Sequence, residues 1–188
     1  MNKRWFVLCA TVILLLCVGQ SRAVTSNVGI KAGVVTDATL NFADKTTSSN
    51  TFELETNQSW TVQGFVELPL RGNFHSILSL DYNNLGDLGK SEMLLTGSYG
   101  VRYHWEMNNA RFAIRPGIAL GYGYLGDTHV SDAASLLMLN LSSEFVIFSM
   151  SGTGFIFETG LLWALTGGND AYDIDGGPLL QVRGGLRF

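Results

Sequence analysis

The chain has 188 residues, with twelve Lys and Arg against sixteen Asp and Glu, and this acidic balance excludes nucleic acid as a partner. Its 22 glycines and three prolines leave no helix-forming stretch free of glycine and β-formers. Both cysteines, Cys9 and Cys17, fall within the first twenty residues, so the remainder relies on neither disulfides nor thiolate metal sites.

Met1-Asn2-Lys3-Arg4 carries two positive charges and runs into an apolar stretch from Trp5 to Val18, followed by Ser21-Arg22-Ala23. This is the pattern of a secretory signal peptide: the stretch is shorter than the ~20 residues of a membrane-spanning helix, and small residues stand where signal peptidase cleaves. Cleavage is expected after Ala23, leaving residues 24–188 as one domain. A lipoprotein reading at Cys17 is disfavoured by Leu16 before it, where a small residue is wanted.

Eight short alternating segments follow, each near or above the ~9–11 residues that let a tilted strand cross a bilayer. They are Asn27 to Val35, Trp60 to Arg71, Phe74 to Asn83, Met93 to Trp105, Ala110 to Leu125, Ser135 to Phe148, Gly154 to Trp163 and Leu179 to Phe188. Long connections (Thr36 to Ser59, Asn84 to Glu92, Gly126 to Ala134, Ala164 to Pro178) alternate with short ones (Gly72-Asn73, Glu106 to Asn109, Ser149 to Thr153). In outer-membrane barrels the tight turns are periplasmic and the long loops external, which places both termini in the periplasm. The predicted fold is all-β, an eight-stranded antiparallel up-and-down transmembrane barrel.

Successive strand residues point to opposite faces, so the apolar residues set the phase and the charges test it. In the second segment Trp60, Val62, Gly64, Val66, Leu68 and Leu70 oppose Thr61, Gln63, Phe65, Glu67, Pro69 and Arg71. Extended to every segment, the rule puts Lys31, Glu67, Arg71, Asp81, Arg102, Arg111, Arg115, Glu144, Glu158, Arg183 and Arg187 on the inner face and no charge on the apolar one. A Lys or Arg facing lipid at the midplane would cost ~2–4 kcal/mol. The sixth segment departs from the rule, because Leu136 and Met138 share its inner face. Outward aromatics fall into two girdles, Trp60, Tyr82, Tyr122, Tyr124 and Trp163 at one end and Phe74, Tyr103, Trp105, Phe112, Phe145, Phe155 and Phe188 at the other. A water-soluble β-sandwich or lipocalin-like barrel, with the apolar face as its core, is the competing reading of the same alternation.

The ending Gln181-Val182-Arg183-Gly184-Gly185-Leu186-Arg187-Phe188 carries a final aromatic preceded by apolar residues at alternate positions. In this, and in strand number, the chain resembles the small eight-stranded outer-membrane barrels that include the OmpA transmembrane domain and OmpX. The resemblance implies that Phe188, Leu186 and Val182 form the signal read by the barrel-assembly machinery. It also implies contact with outer-membrane lipid and lipopolysaccharide, and an extracellular ligand, if any, held by the loops, of which Thr36 to Ser59 is the longest.

An interior this narrow is filled by side chains, so its charges must satisfy one another. Lys31, Glu67, Asp81, Arg102, Arg115, Glu144, Glu158 and Arg183 are expected to form a structural network that plugs the lumen, with a narrow ion channel as the alternative. Some eight-stranded barrels modify lipid A, and the deacylating ones use His and Ser two residues apart with a Glu farther on. Here Asp127-Thr128-His129-Val130-Ser131-Asp132 and Glu144 match that pattern poorly, because the seventh strand, where the pair belongs, ends in Leu161-Leu162-Trp163. His75 and His104, both inner and near the turn end, lack a third metal ligand and are expected to cap the network beside Arg71 or Arg102. Gly121-Tyr122-Gly123 and Gly184-Gly185 precede no helix and are not phosphate loops. No catalytic residue, cofactor or metal is assigned.

Overall fold

The computed structural model describes residues 26–36, 38–46, 51–56, 59–85, 93–107, 111–126, 132–148 and 153–188. The expected leader, residues 1–23, lies outside them. The strands are β1 (Asn27–Val35), β2 (Ala38–Asp44), β3 (Thr51–Thr56), β4 (Ser59–Pro69), β5 (Phe74–Asn84), β6 (Met93–Tyr103), β7 (Trp105–Met107), β8 (Phe112–Leu125), β9 (Ala134–Phe148), β10 (Gly154–Gly168) and β11 (Tyr172–Arg187).

Several of these are pieces of one wall strand. The β1–β4 register, in which Asn27 faces Glu67 and Val35 faces Ser59, continues unchanged into β2–β3, in which Ala38 faces Thr56. Likewise β6 and β7 hold one register along β8, interrupted at His104. The result is a closed, antiparallel, up-and-down barrel of eight wall strands, in which β1 pairs with β11 to complete the circle. Closure gives β1, β2, β4, β5, β6, β8, β9, β10 and β11 a partner on both sides, while among the described residues β3 pairs only with β2 and β7 only with β8.

At the turn end the Arg71-Gly72-Asn73 corner is closed by the Leu70 amide donating to the Phe74 carbonyl at 2.8 Å, and Gly72 takes φ 64°, which only glycine adopts freely. Arg71 and Arg111 lie in turns at this end and are exposed, which corrects their expected place on the inner face. The phase rule fails for them because each stands beyond the last ladder residue of its strand.

The connections expected over Thr36 to Ser59 and Ala164 to Pro178 are not simple loops. The first contains β2 and β3, and in the second β10 runs on to Gly168 and β11 begins at Tyr172. Their Ser, Thr, Gly and Asp content reads as loop, yet alternate residues Leu40, Phe42 and Ile174 are fully buried. The buried side changes parity on the way up. Odd residues such as Lys31 and Val35 are buried in β1, whereas in β2 the even residues Leu40 and Phe42 are. β11 makes the same change between Leu179 and Ile174, where Gly176 and Gly177 have φ 148° and 114° and the ladder to β10 shifts between Leu162 and Ala164. In β9, by contrast, Leu136, Met138, Asn140 and Glu144 keep one parity, so the anomaly noted in the sequence is not a register slip.

Close strand approach at the seam makes one glycine a test of closure. Gly33 lies between Arg183 of β11 and Thr61 of β4, and a methyl group there runs into the Val182 carbonyl oxygen. Gly64, which points outward, has nothing within 4 Å of such a methyl. Gly33→Val is therefore expected to abolish the folded, heat-modifiable band on an unheated gel, while Gly64→Ala retains it at the wild-type level.

Candidate functional site

The lumen holds the charges that the strands turn away from their outer faces. Lys31, Glu67, Asp81, Arg102, Arg115, Glu144, Glu158 and Arg183 are all buried, as is Arg187. Four of them form a cross-strand row, because Arg115 of β8 faces Glu144 of β9, Glu144 faces Glu158 of β10, and Glu158 faces Arg183 of β11. Two carboxylates directly opposite one another repel. Cations from the flanking wall separate them: Lys31 Nζ lies 2.6 Å from both Glu144 Oε1 and Glu158 Oε2, and Arg102 donates to Glu144 at 2.5 Å and Glu158 at 3.1 Å. Arg183 pairs with Glu158 and, at 2.5 Å, with Asp81 Oδ1. Arg115 holds Glu144 Oε2 at 3.0 Å and also pairs with Glu67. The eight residues form one connected set, with four cations facing four carboxylates.

Residues beyond these eight extend the set. Toward the turn end, Glu67 also has His75 Nδ1 at 3.1 Å and Arg187 Nη2 at 3.8 Å from its carboxylate oxygens. His75 faces Arg102 across β5 and β6 rather than Arg71, and its ring lies 5.6 Å from that of His104. Among the described residues no three His, Cys, Asp or Glu side chains come together as metal ligands. Lys31 sits over the Phe65 ring at 4.7 Å, and Arg187 over Phe148 at 5.6 Å. Toward the loop end, Gln63 donates to Asp81 at 2.6 Å, Ser79 hydrogen-bonds Asp81 at 3.0 Å and Ser98 at 2.7 Å, and Gln181 donates to Asn83 at 2.8 Å. Their inner phase was legible; that uncharged side chains would complete the network was not.

Read from turn end to loop end, the strands share one gradient. β11 presents Arg183, Gln181 and Leu179 inward; β5 presents Asp81 and Asn83, followed by Leu85 just past its end; β9 presents Glu144, Asn140, Met138 and Leu136. An ionic layer thus gives way to neutral polar groups and then to a wholly apolar layer, in which Val35, Leu40, Phe42, Leu85, Leu94, Leu125, Leu136, Met138, Leu162, Ile174 and Leu179 pack together. A smaller apolar cluster of Phe65, Ile77, Ala113, Val146 and Ile156 packs on the turn side. A void beside Ser79, Ser98, Arg102 and Ser142 measures about 10 Å³, at the threshold for one water molecule.

His129 and Ser131 lie outside the described residues. Glu144 belongs to the ionic layer, engaged by Lys31, Arg102 and Arg115. Val182, Leu186 and Phe188 share the outer face of the last strand, where Phe188 is well exposed and exchanges backbone hydrogen bonds with Val28 at 2.8 and 3.2 Å. On the exposed side of the loop end, a groove of about 370 Å³ is lined by Asn41, Glu53, Leu165, Thr166, Asp173 and Asp175.

No family model and no curated protein matches the sequence. Solved structures with this fold include neisserial surface protein A, with 8% identity over 88% of this chain and 98% of that one and a TM-score of 0.63. A major outer membrane protein from Thermus thermophilus has 12% identity over 87% of this chain and 98% of that one, with a TM-score of 0.50. At such identities the likeness is one of fold.

Breaking a buried ion pair leaves its partner uncompensated, at a cost of about 3–5 kcal/mol, whereas neutralising both members costs far less. Glu158→Gln, which takes one partner each from Lys31, Arg102 and Arg183 and leaves the four cations of the set facing three carboxylates, is expected to lower stability by about that amount. Lys31→Met combined with Glu158→Gln should recover part of the loss. Equilibrium urea unfolding in detergent micelles or lipid vesicles, run as a double-mutant cycle, measures both.

Proposed function

We propose that the protein is an integral barrel of the Gram-negative outer membrane, with a plugged polar interior and a structural or surface-interaction role exercised through its extracellular loops. The observation that carries this reading is an inversion of polarity along the same strands. In the lower and middle barrel the outward residues are apolar, among them Ile30, Leu80, Leu120 and Phe157, each more than half exposed, while the charges lie inside. At the loop end the order is reversed: Asn41, Glu53, Asp173 and Asp175 are exposed, and Leu40, Phe42 and Ile174 are buried. A protein surrounded by water has no reason to change its rule part-way along a strand. A hydrocarbon layer around the lower part and water around the upper part account for both rules.

The boundary coincides with aromatic residues. Trp60 stacks on Tyr82 with centroids 5.0 Å apart near the loop end, and Phe74 meets Tyr103 at 5.2 Å near the turn end. Such rings favour both interfaces, where they contact lipid headgroups and, outside, lipopolysaccharide. Among the described residues every exposed charge lies beyond this band. The water-soluble reading fails on the same residues, because it needs the apolar face as its core and the barrel closes with that face outward. With tight turns and both barrel termini at one end, the reading puts that end in the periplasm and the β2–β3 hairpin outside. The acidic groove beside that hairpin suits contact with a cationic ligand. Phe188, Leu186 and Val182, on the outer face of the closing strand, are the residues that the barrel-assembly machinery would read.

Fractionation of cells expressing the protein should recover it in the outer membrane as a band that shifts on heating; recovery as a soluble periplasmic protein would end the proposal. Leu80→Arg, in the middle of the apolar band, is expected to cost ~2–4 kcal/mol in vesicle-based unfolding. Asp173→Arg, in the upper wall, is expected to cost no more than about 1 kcal/mol, the scale of its exposed pair with Lys45. Phe188→Ala should lower the amount of folded barrel in the membrane and leave unassembled chain behind.

A further inference from the structure

We infer that the apolar layer at the loop end, rather than the ion-pair network, is the barrier that keeps ions from crossing the lumen. The inference rests on the membrane reading above and adds to it the place where the lumen is sealed.

The two layers differ in what they offer a passing ion. The ionic and neutral polar layers are rich in groups that can replace water around a charge: the carboxylates of Asp81, Glu144 and Glu158, the guanidinium groups of Arg102 and Arg183, and the amides of Gln63, Asn83 and Gln181. Rearranged side chains there could still solvate an ion. The loop-end layer has no such capacity. Leu40, Leu85, Leu94, Leu125, Leu136 and Leu179 are each 0% exposed, and they come in turn from β2, from the residue after β5, and from β6, β8, β9 and β11, so the layer spans the circle rather than one wall. Within it Phe42 packs edge-to-face with Tyr172, their centroids 6.2 Å apart. An ion entering from the loop end would have to shed its hydration against hydrocarbon, and narrow apolar constrictions exclude ions by staying dry. The parity change between Val35 and Leu40, and that at Gly176-Gly177, is what turns Leu40, Phe42 and Ile174 toward this layer.

The test is ion conductance of the refolded full chain in planar bilayers, with the heat-dependent gel shift and co-sedimentation with vesicles showing that each variant is folded and inserted. Wild-type protein is expected to be silent. Glu144→Gln and Lys31→Met, which disturb the ionic layer alone, should remain silent as well. Leu136→Ser combined with Met138→Ser should give discrete conductance steps at least tenfold above the wild-type background. Leu136→Ala with Met138→Ala, which opens comparable space but adds no polar atom, should stay well below the serine pair, because apolar cavities stay dry.

Steady conductance in wild-type protein, or in a folded ionic-layer variant whose apolar layer is intact, would overturn the inference. So would silence of the serine pair in protein shown to be folded and inserted, or equal conductance of the alanine and serine pairs. Failure of the membrane reading looks different: no variant, wild type included, would then co-sediment with vesicles.

Discussion

A cylinder of eight strands has an interior only wide enough for side chains, and the rest of this structure answers to that limit. Every charge turned away from the outer face must be neutralised within this small volume. The row from Arg115 through Glu144 and Glu158 to Arg183 shows how tightly the problem is posed, since its two central members repel each other across adjacent strands. Lys31 and Arg102 resolve it by each touching both carboxylates. Burial of such a set is weak evidence for net stability, because desolvation offsets most of the attraction. What it does secure is pairing: a shifted strand would leave at least one of these charges alone.

Core and outer face change polarity together along the same strands. Where the outer face is apolar, the core carries the ionic layer; where the outer face is polar, the core is leucine, methionine and phenylalanine. Neutral amides and hydroxyls from Gln63, Ser79, Asn83, Ser98, Asn140 and Gln181 occupy the step between. This grading matters physically, because a carboxylate set directly against hydrocarbon would have unsatisfied lone pairs, whereas an amide can bond a charge on one side and its own kind on the other. Asp81 illustrates the arrangement, accepting from Arg183 on its ionic side and from Gln63 and Ser79 beside it.

Much of the barrel was legible because period two is an unforgiving code: one misplaced charge in lipid is costly, so the phase of β1, β4, β8 and the last strand could be set from apolar residues alone. The phase of those segments, and hence the closed architecture, followed. What stayed hidden lay where the code changes. Leu40 and Phe42 sit among Thr, Asn and Asp residues that read as loop, and the reversal of parity before them leaves no mark in the alternation itself. Leu136 and Met138 did give a signal, two apolar residues on a face expected to be polar, but one strand cannot distinguish a slipped register from a change of surroundings. Arg71 and Arg111 followed the alternation past the ends of their ladders, which stop at Pro69 and begin at Phe112. The linkage from Glu67 to Arg115 and His75 joins side chains from separate strands, and no reading of one strand at a time brings them together.

The seam between β1 and β11 gives the fold a history as well as a shape. Gly29 meets Arg187 and Val35 meets Gln181, so the first wall strand waits for the last, with nearly the whole described chain between them. Until they join, the growing sheet has two raw edges, each able to accept a strand from any source, including another copy of the same molecule. Contacts this distant in sequence form slowly. The chain must therefore be kept in isolation until its final strand arrives, and the speed of that last pairing decides between a finished cylinder and a tangle of half-closed ones.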